Sequence, residues 1–317
     1  MISDAIRIVP DGSAVYTRVT QKPMFEQIVG HHRIKAQLER DIVAGKLHQS
    51  YLFAGPEHVG KMALLRELMS QVRTGQPFAA ESVFGQQVLS GQGPGLMGFW
   101  DDGESLKVEQ VRQIGDFISK RTEEGQWTFC VIEHVERMTT SAANAFLKNL
   151  EEPSQRVVYL MTTKEERKLL PTIRSRVQLF RFAPVPAKEV EAFLHQDEHN
   201  EVTIQEVMKL AVGRIGLAVS LLEDETLLDR LRELYDYAML VLEKDLVDRF
   251  QLADHLSAKE VTEAERSQFL VYLALKLQQE GVDRYLGPLD RIQEVKQLLS
   301  DTQANKRLLL EDLLFRV

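Results

Sequence analysis

The chain has 317 residues, 44% of them hydrophobic and 27% charged, with a formal net charge of −8. That length accommodates two or three domains, and the composition is that of an ordinary globular protein. No apolar run approaches the roughly 18 residues of a membrane span, the acidic balance argues against wholesale coating of nucleic acid, and the single cysteine, Cys130, excludes an internal disulfide or a four-cysteine zinc site.

The opening residues, MISDAIRIVPDGS, lack the basic-then-apolar layout of a signal peptide. Residues 1–24 read as an irregular leader, and a reducing cytoplasm is the expected location. Residues 25–46 predict a helix after a break at Gly30. Ser50-Tyr51-Leu52-Phe53-Ala54 is a short apolar strand that runs straight into Gly55-Pro56-Glu57-His58-Val59-Gly60-Lys61-Met62. A helix should follow, with Leu64, Leu65 and Leu68 turned inward. Residues 75–103, rich in Gly, Gln and Pro, read as loop. Residues 128–132 form a second buried strand. Residues 141–152 form a helix with Ala143, Phe146, Leu147 and Leu150 on one face, closed by Pro153. Residues 157–162 and 177–182 read as two further strands. Strands alternating with helices predict an α/β domain with a mainly parallel sheet covered on both faces. Ala183-Pro184-Val185-Pro186 is the clearest linker. Beyond it the pattern is helical throughout, including Leu270, Leu273, Ala274 and Leu277 and then residues 308–314. Internal repeats and low-complexity tracts are absent from the sequence. The expectation is an α/β domain, a small helical domain and a further helical bundle.

Three segments carry chemistry. In the pattern G-x-x-x-x-G-K-[ST], glycines let backbone N–H groups wrap phosphates, lysine neutralises them, and the final hydroxyl ligates magnesium. Here Gly55, Gly60 and Lys61 keep the outline, but position 62 is Met62, a soft thioether unsuited to a hard cation. Glu57 adds negative charge where phosphates would sit. The second segment, Val131-Ile132-Glu133-His134-Val135-Glu136-Arg137, has Glu133 where phosphate-loop ATPases place the metal-orienting Asp, and His134 where they place the Glu that polarises water. The third, Leu169-Leu170-Pro171-Thr172-Ile173-Arg174-Ser175-Arg176-Val177, sets two arginines around Ser175 at a domain edge. A rigid guanidinium there could stabilise charge on a transferring phosphoryl group. Plainer readings exist for each: a glycine turn with a surface lysine, a surface His–Glu pair, and two solvated arginines.

At these residues the sequence resembles the AAA+ clamp-loader subunits of bacterial DNA polymerase III. Ala142-Ala143-Asn144-Ala145-Phe146-Leu147-Lys148-Asn149-Leu150-Glu151-Glu152-Pro153 is close to the family's A-A-N-A-L-L-K-T-L-E-E-P signature, and residues 169–176 match L-L-P-T-I-R-S-R. Leu106-Lys107-Val108-Glu109-Gln110-Val111-Arg112 resembles I-K-I-D-Q-I-R, and residues 305–311 resemble the N-P-R-L-A-L-E of the last helices. The resemblance implies an AAA+ phosphate-loop domain at 25–183, a helical lid at 184–224 and an all-α collar at 225–317. The departures are informative. The motor subunits carry four zinc-ligating cysteines, an intact G-K-[ST], an Asp-Glu pair and a late arginine that touches the γ-phosphate. This chain has a cysteine-free 75–103 stretch, Met62, Glu133-His134, and Gly216 in place of that arginine, with Arg214 two positions away. Val177 replaces the cysteine that follows the finger arginine. Loss of the chain's own hydrolytic site with Arg176 retained is the delta-prime pattern within the family.

The resemblance therefore implies a subunit that does not hydrolyse ATP and requires no metal or cofactor of its own. Arg176 would act in trans on ATP and magnesium bound by a neighbouring motor subunit. Implied partners are the gamma/tau and delta subunits, the sliding clamp and, through the assembly, primer–template DNA, with no membrane. Lys148 could face DNA phosphates as readily as solvent, and Gly55, Gly60 and Lys61 could still hold a nucleotide or bare phosphate without cleaving it. Two rivals stand beside this reading. One is an active ATPase with Glu133 on the metal and His134 as base; the other is a scaffold with no part in its neighbour's hydrolysis.

Overall fold

The computed structural model describes residues 24–119, 126–196, 199–299 and 304–317, together with the backbone of residues 3–8 and 14–19. The chain divides into two compact units, Met1–Glu198 with Val212–Leu217, and His199–Ala211 with Ala218–Val317.

The first unit contains strands β1 (Ser3–Ile8), β2 (Ala14–Val19), β3 (Ser50–Ala54), β4 (Gln92–Gly93), β5 (Leu96–Phe99), β6 (Thr128–Ile132), β7 (Val157–Thr163) and β8 (Gln178–Arg181). Its helices are α1 (His32–Val43), α2 (Lys61–Thr74), α3 (Val83–Ser90), α4 (Val108–Ser119), α5 (Thr140–Glu151), α6 (Pro171–Arg174) and α7 (Ala187–Leu194). Strands β3 to β8 form one sheet in the order β4-β5-β6-β7-β3-β8, parallel throughout except where β4 meets β5.

Strands β3, β6 and β7 are buried along their whole length, as a parallel sheet with helices on both faces requires. Alternate side chains feed two separate apolar layers. Tyr51, Phe53, Phe129, Val131, Val158 and Leu160 pack with Leu38, Leu64, Leu65 and Leu68 of α1 and α2. Leu52, Cys130, Ile132, Tyr159 and Met161 pack with Val111, Ile114, Ala142 and Phe146 of α4 and α5. Phe146 meets Tyr159 edge to face, with ring centroids 5.5 Å apart. Helix α5 starts where Thr139 accepts the Ala142 N–H, an N-cap that the serine/threonine-rich entry to the signature supplies.

Strand β3 is the switch point of the sheet. The chain leaves it for the β5 side and later crosses back from β7 to β8. The carboxyl ends of β3, β7 and β8 lie level, with Ala54 beside both Thr163 and Arg181. A crevice outside such strand ends is the usual ligand position in open α/β sheets.

Two expectations are corrected. Residues 1–24 are not irregular throughout, because β1 and β2 pair antiparallel from Ser3↔Val19 to Ile8↔Ala14. The signal was present in Ile6, Ile8, Val15 and Tyr16 on either side of Pro10-Asp11-Gly12-Ser13. Residues 75–103 hold α3, β4 and β5 instead of loop alone. The glycines at 91, 93, 95 and 98 interrupt the apolar alternation there, and β5 owes its strand state to pairing with β6.

In the second unit every regular element among the described residues is helical: α8 (Glu201–Ala211), α9 (Ile215–Glu223, its first turn in the first unit), α10 (Glu225–Leu240), α11 (Leu246–Ser257), α12 (Glu263–Gly281), α13 (Leu286–Leu298) and α14 (Lys306–Arg316). Leu270, Leu273 and Leu277 are buried as their spacing predicts, and so are Leu310, Leu313 and Leu314. Thr262 and Glu265 close a reciprocal capping box at the start of α12. Tyr272 donates its hydroxyl to the Leu210 carbonyl at 2.8 Å, tying α12 to α8. Among the described residues, none of the helices is long and apolar enough to cross a membrane.

The packing predicts that Phe146→Ala destabilises the first unit by about 3–5 kcal/mol, the range for deleting a fully buried aromatic ring. Urea unfolding of the variant checks this, and a loss below about 1 kcal/mol would show that α5 is not anchored by that ring.

Candidate functional site

The phosphate-loop residues lie at the carboxyl end of β3 and wrap the start of α2. Gly55 has a φ of +149°, and a Cβ there would stand 2.3 Å from the Phe182 carbonyl oxygen, so only glycine fits. The loop is closed from within. Lys61 Nζ turns back to donate to the carbonyls of Gly55 at 2.7 Å and Pro56 at 2.5 Å. His31 Nε2 donates to the Val59 carbonyl at 2.8 Å. The Gly216 N–H donates to the His58 carbonyl at 2.7 Å. Lys61 is buried, and that burial pulls its ammonium down to about 8 against the opposing pull of Glu57, Glu136 and Glu133.

Met62, at the place of the magnesium-binding hydroxyl, packs partly buried against the apolar layer of α2 and β3. Position 216 is equally telling. A Cβ on Gly216 would lie 3.1 Å from the His58 carbonyl oxygen, so the first turn of α9 sits directly on the loop. The late arginine position is thus occupied by backbone contact. This donor set does not suit magnesium, since position 62 offers only a thioether directed into the core.

Beyond β6, His134 adopts a left-handed backbone (φ 51°) and is 7% exposed. Its N–H donates to Thr162 Oγ1 at 3.1 Å, and its Nδ1 donates to Glu136 Oε1 at 3.2 Å. Its Nε2 faces Asp101 at 3.6 Å and Glu57 at 3.7 Å. The hydrogen bond to Glu136 leads in raising the His134 pKa above its ordinary 6.5, with burial opposing. Burial pushes the Glu136 carboxyl up, but the hydrogen bonds from His134, Thr163 and the Lys164 N–H prevail and hold it at about 2. Glu57 is likewise raised by burial and pulled lower by Lys164, whose Nζ donates to it at 3.2 Å. Glu133 accepts the Asp101 N–H at 3.2 Å. A general base must offer a neutral imidazole, whereas His134 sits among three carboxylates that favour its charged form.

Sequence reasoning therefore placed Gly55, Gly60, Lys61, Glu57 and His134 at one locus, and missed Asp101, Glu136 and Lys164. The missing signal was positional. Asp101 follows β5, Glu136 follows β6 and Lys164 follows β7, and carboxyl ends of neighbouring parallel strands converge.

Arg176 stands at the other end of the sheet. It precedes β8 by two residues, near the level at which β3 begins, since Tyr51 lies opposite Gln178. Gly55 is roughly 15–20 Å away along the strand direction at about 3.3 Å per residue. Arg176 Nη1 donates to the Thr172 carbonyl at 2.9 Å and to Ser175 Oγ at 3.2 Å, and Nη2 pairs with Glu151 Oε1 at 2.8 Å. Its side chain remains 35% exposed. Arg174, by contrast, is exposed at the end of α6. Ser175 and Glu151 thus orient the guanidinium. Both were in the quoted motifs, but neither had an assigned role.

The two shifts fix a pH window for the His134 cluster. The raised His134 contributes stability that is complete below its unfolded value of 6.5 and is lost as pH rises through the folded value. The lowered Glu136 contributes above its unfolded value of 4.5 and loses it as pH falls toward about 2. Wild type should therefore exceed His134→Gln in melting temperature by a margin that is widest near about pH 5.5 and narrows toward about pH 8.5. A margin that stays constant across that range would contradict the charged imidazole.

The family described as "DNA polymerase III, delta subunit" matches residues 30–186. The delta' subunit of Escherichia coli is 26% identical over 93% of this chain and 93% of its own length. The delta' subunit of Bacillus subtilis is 33% identical over 50% of this chain and 49% of its own. A solved gamma-subunit-related protein from Thermotoga maritima is 22% identical over 88% of this chain and 97% of its own, with a TM-score of 0.49. The chain spans only 34% of the length of the mycobacterial gamma/tau relatives that it matches. By these matches residues 30–186, about half of the chain, fit the family described as "DNA polymerase III, delta subunit", and the chain is similar to delta', gamma and tau subunits of DNA polymerase III.

Proposed function

We propose that this chain is the delta-prime-type member of a clamp loader, a subunit that does not hydrolyse ATP but completes the ATP site of a neighbouring motor subunit with Arg176. The observation that carries the reading is the position of Arg176. It lies at the amino edge of the sheet, a strand length from its own phosphate loop, with its guanidinium oriented by Ser175 and Glu151. A finger so placed has no phosphoryl group to serve on its own chain. The loop supports the reading from the other side, because Met62 packs against the apolar layer where a magnesium-binding hydroxyl would stand.

In this account residues 184–224 form the lid and residues 225–317 the collar that joins gamma/tau and delta subunits into a hetero-oligomer. The neighbours bind ATP and magnesium, and the complex opens a sliding clamp and places it on primer–template DNA in the cytoplasm. Gly55, Gly60 and Lys61 keep a residual capacity for nucleotide or phosphate, since cradling and cleavage are separable. The active-ATPase alternative needs His134 as a neutral base, and its carboxylate surroundings disfavour that form.

The test is Arg176→Ala in a complex reconstituted with the motor and delta subunits. The Glu151 pair is a surface ion pair worth at most about 1 kcal/mol, so assembly should survive. Clamp-stimulated hydrolysis at the served site should fall by roughly 10³–10⁵-fold. An assembled complex with unchanged ATPase would leave only the scaffold reading.

A further inference from the structure

Arg176 does not stand alone at the amino edge. It lines a cleft of about 620 Å³ together with His48, Trp127, Glu151 and Arg156. Four of these residues come from the amino ends of strands, His48 before β3, Trp127 before β6, Arg156 before β7 and Arg176 before β8, and Glu151 ends α5. The charged side chains lining the cleft include two guanidiniums, Arg156 and Arg176, and Glu151, which pairs with Arg176 at 2.8 Å.

Arg156 has an unusual backbone. Its φ is +60°, a left-handed conformation that disfavours residues with a side chain. The Thr128 N–H donates to its carbonyl at 2.8 Å and pins it against the start of β6, while its side chain is exposed. Glycine would take this conformation without penalty, yet the chain carries a long cation there. Strain held in place by surrounding structure tends to mark functional positions.

We propose that Arg156 is a second cation acting in trans, binding beside Arg176 the terminal phosphates of the nucleoside triphosphate held by the neighbouring subunit. This rests on the trans reading of Arg176. A terminal phosphate presents several anionic oxygens, and two guanidiniums approaching from one wall can each take one or two of them. Glu151 keeps Arg176 in place until phosphate replaces it, an exchange that a weak surface ion pair permits. Arg156 then strengthens nucleotide binding, while Arg176 stabilises the charge that develops as the phosphoryl group transfers.

The experiment is Arg156→Gly in the complete reconstituted complex, titrated with a fluorescent non-hydrolysable ATP analogue. Glycine removes the guanidinium and relieves the left-handed backbone, so the melting temperature should hold or rise. One class of nucleotide sites should weaken about tenfold, the scale of one charged hydrogen bond. Arg156→Gln, similar in reach and uncharged, should lose as much, and Arg156→Lys should recover most of the affinity. Unchanged affinity in the Gly and Gln variants, with hydrolysis still lowered by Arg176→Ala, would overturn the role of Arg156 alone. If Arg176→Ala also changes nothing, the trans reading beneath it fails as well.

Discussion

A parallel sheet has two unlike ends, and this separation governs the rest of the molecule. Strands β5, β6, β7, β3 and β8 all run the same way. Loops that follow strands therefore gather at one edge, and residues that precede strands gather at the other. The phosphate loop, Asp101, His134, Glu136 and Lys164 belong to the first edge. Trp127, Arg156 and Arg176 belong to the second. Crossover connections impose the arrangement, since parallel neighbours are joined only by returning the chain across a face of the sheet, and the helices that cross there bury β3, β6 and β7 on both faces.

At the first edge, the residues at the phosphate-loop positions make structural contacts. Lys61 and His31 satisfy loop carbonyls, Gly216 brings α9 onto His58, and Met62 joins the core. His134 and Glu136 form a buried pair with Lys164 and Glu57 around it. Together these contacts stabilise a closed loop that keeps the outline of a nucleotide site. At the second edge Arg176 is oriented and partly exposed, and its partner Glu151 is a half-exposed carboxylate.

Much of this was legible in the residues, and the gaps have physical causes. The strand at 128–132 and the strand–loop–helix passage at 50–62 were readable because buried parallel strands are continuously apolar. The helix at 140–151 was readable from its i, i+3, i+4 stripe. Strands β4 and β5 were not, because they are short, interrupted by glycine and dependent on β6 for their state. The paired β1 and β2 were passed over because few residues carry their alternation. At the sites, Gly55, Lys61 and Arg176 announced themselves by motif. Asp101, Lys164 and Glu151 did not, because their roles arise only when the sheet brings distant segments together.

In the proposed reading this chain's own loop contributes nothing to turnover. The most direct measurement is the steady-state, clamp-stimulated ATPase of a reconstituted complex in which this chain alone carries Lys61→Met. The wild-type rate is expected in an assembled complex. Loss of one site's share of the activity would contradict it and restore the loop as a working ATP site.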